Sequence, residues 1–143
     1  MITISTDRIK IYVNGVRQAL TAGSTLPTIN KDSYINYSSY THRIGAYSSS
    51  GQGYQFDGYM AEINFIDGLA LTPSSFGWTN PATGVWAPLD FVGTYGTNGF
   101  YLNFSDNSNT TAATLGKDYS GNGNNWTPNN FSVTAGAGND SLV

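Results

Sequence analysis

Short stretches in which apolar and polar residues alternate recur along the chain and predict β-strands. The clearest alternation covers residues 9–13, which are followed at once by Asn14-Gly15 and by a second β-rich run at residues 16–20. Asn-Gly between two such runs favours a type I′ turn, because both central residues must tolerate positive φ. We therefore predict a β-hairpin centred on Asn14-Gly15.

Four further segments are rich in aromatic and β-branched residues and are also predicted to be strands. They are residues 33–37, 42–47, 54–66 and 99–104. Within the longest of them, Gly58 marks the position where a β-bulge is expected, because a glycine inside a strand often accompanies an unpaired residue.

The connecting segments differ from one another in character. Residues 72–77 predict one helical turn, since Thr72 can cap it and Pro73 suits its first position. Residues 78–88 contain two tryptophans and two prolines and are predicted to be irregular. Residues 135–143 are small and polar and are expected to form a linker or a tail.

Composition strengthens the prediction of an all-β protein and excludes several classes of partner. Aromatic residues make up 14% of the chain and charged residues only 10%, with glycine, serine, threonine and asparagine in their place. The net charge is −3 and the six cationic residues are scattered, so no basic surface for nucleic acid is expected. No apolar run approaches the roughly 18 residues that a membrane span needs, so membrane insertion is not expected. Because cysteine is absent, the sequence carries no indication of redox compartment.

Four motifs follow one another in the first half of the chain. They are Tyr-Val-Asn-Gly at 12–15, Arg-Ile-Gly at 43–45, the Phe-Asp-Gly strand at 56–65 and the Leu-Thr-Pro turn at 69–76. Their order resembles the second half of a laminin-G/concanavalin-A-like domain, which implies an antiparallel β-sandwich of jelly-roll type. Few residues precede the hairpin, so we expect an incomplete jelly roll that another chain or segment completes.

Residues 99–106 and 115–127, the latter containing Asp-Tyr-Ser-Gly-Asn-Gly-Asn-Asn-Trp, are similar to segments that follow concanavalin-like domains in tail-fibre and other structural proteins of bacteriophages. The resemblance divides the chain into a half jelly roll at 1–77, a Trp/Asn/Gly-rich extension at 78–134 and the tail at 135–143.

This resemblance also implies a function. It indicates a structural module of a phage virion surface, in a fibre or a capsid decoration, synthesised in the host cytoplasm and attaching to host glycans. The expected partners are other virion proteins, sister copies in a homo-oligomer and a cell-surface glycan. One alternative is a pure assembly module that binds sister subunits and no ligand, and a weaker one is a polysaccharide depolymerase.

The depolymerase alternative depends on Glu62, Asn64 and Asp67. Glu-Ile-Asn-Phe-Ile-Asp in this segment resembles the catalytic Glu-Ile-Asp-x-x-Glu strand of glucanases that share the fold. A retaining mechanism needs two carboxyl groups about 5 Å apart, and here the middle Asp is Asn64 and the second Glu is the shorter Asp67. With His42 as the single histidine and no cysteine, neither a thiol nucleophile nor a zinc site is expected. We therefore predict that the chain is not an enzyme.

Three aromatic residues in the second half of the chain are candidates for ligand binding. Trp78, Trp86 and Tyr95 lie in segments predicted to be irregular, where binding residues often occur, and aromatic faces stack on sugar rings. The alternative is that each one is structural, since tryptophan is usually mostly buried.

One loop is a candidate metal site. Asp118, Ser120, Asn122 and Asn124 place oxygen-bearing side chains at alternate positions, as a Ca²⁺ loop does. The loop offers a single carboxylate, so it would need Asp106 or another segment as well. The alternative, which the composition favours, is a tight turn in which the intervening glycines adopt positive φ and the asparagines hydrogen-bond the backbone.

Overall fold

A computed structural model of the chain describes residues 8–20, 26–28, 30–47 and 54–134, so the predicted tail at 135–143 lies outside the described residues. The described residues form short antiparallel strands and one 3₁₀ turn, Pro73–Ser75. The strands are β1 (Tyr12–Val13), β2 (Val16–Arg17), β3 (Ile63–Phe65), β4 (Gly77–Thr79), β5 (Trp86–Pro88) and β6 (Phe100–Leu102). The all-β prediction is confirmed at the level of these small sheets. No helix in this part of the chain is long and apolar enough to cross a membrane.

The chain divides into two compact units, each built from two separate segments. Unit 1 comprises Met1–Phe56 and Thr72–Asp90, and unit 2 comprises Asp57–Leu71 and Phe91–Val143. The three two-stranded sheets fall within these units: β1–β2 and β4–β5 in unit 1, β3–β6 in unit 2. The domain boundary predicted after Gly77 falls inside β4.

The predicted Asn14-Gly15 hairpin is present in unit 1. β1 and β2 are antiparallel, with Val13 opposite Val16, and Asn14 and Gly15 have φ values of 49° and 77°. Positive φ at both central residues is the requirement of a type I′ turn, which asparagine and glycine meet at low steric cost. The strands are shorter than predicted because pairing continues only to the hydrogen bond from Gln18 N–H to the Ile11 carbonyl (2.9 Å).

A second hairpin in unit 1 lies where the sequence predicted irregular structure. β4 and β5 pair antiparallel, with Gly77 opposite Pro88 and Trp78 opposite Ala87, and residues 80–85 connect them. Pro88 ends its strand, a position that proline tolerates. The prediction for residues 78–88 was therefore wrong. The helical turn predicted just before it is confirmed as the 3₁₀ turn, with Pro73 at its first position, but the Thr72 side chain bonds to the Ser74 hydroxyl (2.9 Å) and does not cap the turn.

Three predicted strands are shorter than expected or are not strands. Residues 33–37 form turns, because Asn36 has φ 60° and the Tyr37 N–H bonds to the Tyr34 carbonyl (3.3 Å). Residues 42–47 and the start of 54–66 contribute one isolated bridge, between Ala46 and Gln55. The rest of 54–66 is a strand only in β3, since Glu62 immediately before it has φ 53°.

Unit 2 contains the buried hydrophobic residues of the described chain. The predicted strand at 99–104 is β6, which pairs with β3 and places Ile63 opposite Leu102 and Phe65 opposite Phe100. Leu102 is 2% exposed and Leu115 is 8% exposed. The Phe100 ring stacks on Phe65 (centroids 5.4 Å apart) and meets Trp126 edge-on (4.9 Å). These contacts form the apolar core beside which the Asp118 loop lies.

Candidate functional site

The candidate metal loop in unit 2 is built around the buried carboxylate of Asp118, which is 6% exposed. Its Oδ1 accepts hydrogen bonds from the backbone N–H groups of Tyr101 and Ser120, both at 2.8 Å. Its Oδ2 accepts from the Ser120 hydroxyl and from the Asn124 N–H, both at 2.9 Å. Both carboxylate oxygens are therefore occupied by donors of the protein itself.

The same loop runs along the edge of β6 that faces away from β3. The Tyr101 N–H donates to Asp118, and the Tyr101 carbonyl accepts from the Tyr119 N–H (2.8 Å). Both backbone groups of Tyr101 thus point toward the loop, which takes the place of a third strand. The Asp118 carboxylate accepts the hydrogen bond that a carbonyl of a neighbouring strand would accept. The backbone N–H on this edge of β6 therefore has a partner although none of the described residues forms a third strand there.

The electrostatics of Asp118 follow from this geometry. Burial raises the pKa of the Asp118 carboxyl, but the hydrogen bonds from Tyr101, Ser120 and Asn124 favour the charged form and outweigh burial, so its pKa lies below the ordinary value of 3.8. The carboxylate is consequently ionised over the whole neutral range.

The two asparagines of the loop use their amide nitrogens, not their oxygens, to bind the backbone of residues 96–99. Asn122 Nδ2 donates to the carbonyls of Gly96 (2.6 Å) and Gly99 (2.9 Å). Asn124 Nδ2 donates to Thr97 (3.0 Å) and again to Gly99 (2.9 Å). A calcium ion would need these residues to present oxygens. The geometry therefore favours the tight turn that the composition indicated.

Two further observations agree with the turn. Gly121 and Gly123 have φ values of 93° and 76°, so their predicted positive φ is confirmed. Asp106, the carboxylate that a calcium site would need to recruit, accepts hydrogen bonds from Ser108 N–H (3.1 Å) and hydroxyl (2.6 Å), which lower its pKa. In the described part of the chain, no three carboxylate, imidazole or thiol groups lie close enough to hold a metal ion.

The two candidate tryptophans lie in one ribbon of unit 1, and the candidate Tyr95 lies in unit 2. In the β4–β5 ribbon Trp78 is opposite Ala87 and Trp86 is opposite Thr79, a register offset by one residue. Because successive residues of a strand alternate between faces, the two tryptophans project to opposite faces of the ribbon. Tyr95 belongs to unit 2, where its hydroxyl donates to Asn64 Oδ1 (2.8 Å) and its ring stacks on Tyr101 (6.3 Å).

Trp86 has a structural position within unit 1. Its ring lies against Gly15 of the first hairpin and Gly77 of its own ribbon, and a Cβ at either glycine would collide with it. Trp86 thus joins the β1–β2 and β4–β5 hairpins, in agreement with the structural alternative. Trp78 is 45% exposed and remains available on the other face of the ribbon.

The carboxylates of the glucanase-like segment are held by other residues of unit 2. Glu62 accepts a short hydrogen bond from the Tyr101 hydroxyl. Asp67 Oδ2 accepts from both the backbone N–H (3.1 Å) and Nδ2 (2.9 Å) of Asn98. These bonds anchor the segment to β6 and to residues 95–99.

An exposed cluster of three tyrosines in unit 1 was not identified from the sequence. The rings of Tyr34, Tyr37 and Tyr40 contact one another, with centroids 5.0–6.3 Å apart. Each side chain is more than half exposed, and Tyr34 reaches 73%. The sequence did carry one signal for the cluster, the spacing of three residues between successive tyrosines. Two successive turns bring residues at this spacing to the same side of the chain. His42 Nε2 lies beside the first turn, 2.9 Å from the Tyr34 carbonyl. We call the three tyrosines, Tyr34, Tyr37 and Tyr40, the tyrosine cluster.

The first hairpin presents a second apolar surface. Val13 and Val16 are a cross-strand pair, and Ile11 shares their face because it lies two residues before Val13. These three side chains are 49–65% exposed. We call them the aliphatic face.

No protein family, curated protein or solved structure matches this chain.

Proposed function

We propose that this chain is a non-enzymatic assembly module of a bacteriophage virion surface, and that unit 1 binds sister copies of the chain. The aliphatic face carries the proposal. Aliphatic side chains on one face of a strand pair are stabilised when another apolar surface removes them from water, at about 25 cal/mol per Å². Isoleucine and valine offer neither ring faces nor hydrogen-bonding groups to a sugar, so a protein surface suits them better than a glycan.

The distribution of buried residues supports an incomplete unit 1. Both buried hydrophobic side chains of the described chain, Leu102 and Leu115, belong to unit 2. Unit 1 carries most of the exposed large apolar groups, including the tyrosine cluster and the aliphatic face. We propose that sister copies supply the missing surface, as the expectation of an incomplete jelly roll suggests. The virion setting rests on the similarity of residues 99–106 and 115–127 to segments of phage structural proteins.

The engaged carboxylates support a role without catalysis. Glu62 bonds to Tyr101 and Asp67 bonds to Asn98. A glycosidase carboxyl pair has to face the substrate, one group as acid and the other as nucleophile or base. Here both groups hold unit 2 together.

Sedimentation velocity over a range of concentrations tests the assembly role. Replacing both valines of the aliphatic face (Val13→Thr with Val16→Thr) keeps β-branched side chains and strand propensity while adding hydroxyls. We expect wild-type chains to associate and the double variant to associate about tenfold more weakly, or more, corresponding to about 1.4 kcal/mol. Val92→Thr is the matched control, since Val92 is 92% exposed but belongs to unit 2.

Two results would refute self-assembly through the aliphatic face. One is a wild-type chain that stays monomeric at every concentration, and the other is an equal loss of association in Val92→Thr. Circular dichroism of each variant establishes that the weaker association does not come from unfolding.

The tyrosine cluster favours a second candidate function, attachment to a host glycan. Three mutually packed, exposed rings with hydroxyl groups provide both stacking faces and hydrogen-bonding groups, and the rings are held together before a ligand arrives. We therefore propose the tyrosine cluster as the candidate glycan surface, beside the Trp78, Trp86 and Tyr95 that the sequence suggested.

A glycan array tests this second function. Binding by the wild-type chain that is lost in Tyr37→Ser and retained in Tyr47→Ser would support it, because Tyr47 is also exposed but lies outside the cluster. The absence of binding to any glycan, or equal loss in both variants, would exclude the tyrosine cluster as an attachment site.

A further inference from the structure

Three Asn-Gly sequences occur in the chain, at Asn14-Gly15, Asn98-Gly99 and Asn122-Gly123. This dipeptide is chemically reactive, because glycine has no side chain to hinder its backbone nitrogen when that nitrogen attacks the asparagine side-chain carbonyl carbon. The three pairs therefore share the same intrinsic chemistry, and their surroundings decide which of them reacts.

Two of the three asparagines are held in unit 2 by their own side-chain nitrogens. Asn98 Nδ2 donates to Asp67 Oδ2 (2.9 Å), and the following Gly99 is buried with no room for a Cβ. Asn122 Nδ2 donates to the carbonyls of Gly96 and Gly99. Rotation of either amide into the geometry of attack would break these bonds, so the fold protects both residues.

Asn14 is in a different environment. It is exposed at the first central position of the two-residue turn, and none of the described residues hydrogen-bonds its side chain. The turn is closed by the pairs of Tyr12 with Arg17 and of Val13 with Val16, and the last cross-strand hydrogen bond runs from Gln18 N–H to the Ile11 carbonyl. A two-stranded hairpin is only marginally stable by itself, so we expect this turn to reach the reactive conformation more readily than the loops of unit 2, whose asparagine side chains are hydrogen-bonded.

We propose that Asn14 is a site of spontaneous deamidation, in contrast to Asn98 and Asn122. The Gly15 nitrogen forms a bond to Asn14 Cγ and loses its proton, while the bond from Cγ to Nδ2 breaks and ammonia leaves. Water then opens the resulting five-membered imide at either carbonyl, so the product is aspartate or isoaspartate, with no oxidant or cofactor required.

The isoaspartate product changes the hairpin. Its main chain runs through the former side-chain carbon, which adds one methylene group to a turn that has only two residues. The Val13–Val16 register and the contact of Gly15 with Trp86 both depend on the original length. The modification would therefore act on the part of unit 1 that joins the two hairpins, whether or not unit 1 binds sister copies.

Peptide mapping of the full native chain after incubation in mildly alkaline buffer tests the proposal. Trypsin cleaves after Lys10 and Arg17, and the peptide 11–17 contains Asn14 as its only amide side chain. We expect this peptide to gain about one dalton and to become a substrate of isoaspartyl methyltransferase. Fragmentation of peptides 44–117 and 118–143 should show Asn98 and Asn122 converting at least tenfold more slowly. Asn14→Gly, which keeps a turn that tolerates positive φ, should abolish the signal in its peptide.

The same chain in urea supplies the reference, since there all three Asn-Gly pairs should convert at comparable rates. Asp67→Ala should accelerate conversion of Asn98 in the native chain while Asn122 stays protected and reports that unit 2 is folded. Equal rates at the three sites in the native chain, or faster reaction at Asn98 or Asn122 than at Asn14, would overturn the proposal.

Discussion

Unit 2 joins its segments through side-chain hydrogen bonds to backbone groups, whereas unit 1 joins its two hairpins through one tryptophan that lies against two glycines. In unit 2, Asp118 binds three backbone N–H groups, and Asn122 and Asn124 bind the carbonyls of residues 96–99. In unit 1, Trp86 contacts Gly15 and Gly77. The difference shows that a chain with few charged residues can organise loops either by satisfying the backbone directly or by close aromatic contact.

The two solutions leave different surfaces. The hydrogen bonds of unit 2 surround an enclosed core at Leu102 and Leu115, and among the described residues no buried side-chain nitrogen or oxygen lacks a partner. The contact made by Trp86 in unit 1 covers glycine backbone and leaves the aliphatic face and the tyrosine cluster exposed. We therefore expect the side-chain hydrogen bonds to dominate the stability of unit 2, whereas the proposed contact with sister copies would involve unit 1.

Removing the Asp118 carboxylate should have the largest effect on this contrast. Asp118→Ala leaves the N–H groups of Tyr101, Ser120 and Asn124 without their acceptor in a buried site, and each such loss costs about 1–3 kcal/mol. We expect native-state hydrogen exchange to show unit 2 destabilised by about 3 kcal/mol or more.

Asp106→Ala is the matched control for that variant. Asp106 is also an aspartate of unit 2 with hydrogen bonds from a neighbouring serine, but those bonds are exposed and local. Its loss should leave the exchange of unit 2 nearly unchanged. If Asp118→Ala and Asp106→Ala both left the exchange of unit 2 nearly unchanged, the Asp118 loop would not be the element that holds residues 96–101.

The second-largest effect is expected in unit 1, from a substitution of Gly15. Alanine there meets both the backbone strain of φ 77° and a collision with Trp86. Gly84 has a similar φ of 69° but open space around it, so Gly84→Ala carries only the strain, about 1–2 kcal/mol. Gly15→Ala should cost about 2–5 kcal/mol in all, because overpacking adds about 1–3 kcal/mol.

The difference between these two glycine variants isolates the contact with Trp86. Hydrogen exchange of residues 11–17 reports how well the first hairpin is protected, and tryptophan fluorescence reports the surroundings of Trp86. Equal protection in Gly15→Ala and Gly84→Ala would mean that Trp86 does not join the two hairpins.

The elements that could be predicted from the sequence are those in which single residues have strong local preferences. Asn14-Gly15 specified its turn, Pro73 its 3₁₀ turn, and Gly121 and Gly123 their positive φ. Each of these depends on backbone sterics within a few residues, which a sequence displays directly.

The elements that were predicted wrongly depend on competition between local and distant contacts. Residues 33–37 have the composition of a strand, yet the Ser33 hydroxyl accepts from the Ile35 N–H (3.3 Å) and stabilises a turn. Residues 78–88 carry two prolines, yet pairing of Gly77 with Pro88 and of Trp78 with Ala87 makes them a hairpin. The tyrosine cluster was missed because its spacing is meaningful only once residues 34–40 are known to form turns.

Acid should destabilise unit 2 by protonating the Asp118 carboxylate. The pKa of Asp118 is lowered in the folded chain, so the unfolded chain binds its proton first as the pH falls. The stability that Asp118 contributes is therefore fully present above the ordinary carboxyl pKa of about 4 and is lost as the pH falls through the lower, folded value. Hydrogen exchange of unit 2 at a series of acidic pH values should show this loss. In Asp118→Asn the stability of unit 2 should fall less steeply with decreasing pH. An unchanged dependence on pH would mean that other groups cause the acid sensitivity.

Calcium should have the smallest effect of all. A calcium ion at the loop would have to displace the four donors that occupy the Asp118 oxygens and rotate Asn122 and Asn124 so that their oxygens replace their nitrogens. With one carboxylate as compensation, the ion gains little from that rearrangement. We expect neither millimolar CaCl₂ nor EDTA to change the melting temperature or the exchange of unit 2. A rise in melting temperature with calcium that disappears in Asp118→Asn would show that the loop rearranges around an ion, and would make unit 2 a ligand-dependent fold and not a self-sufficient one.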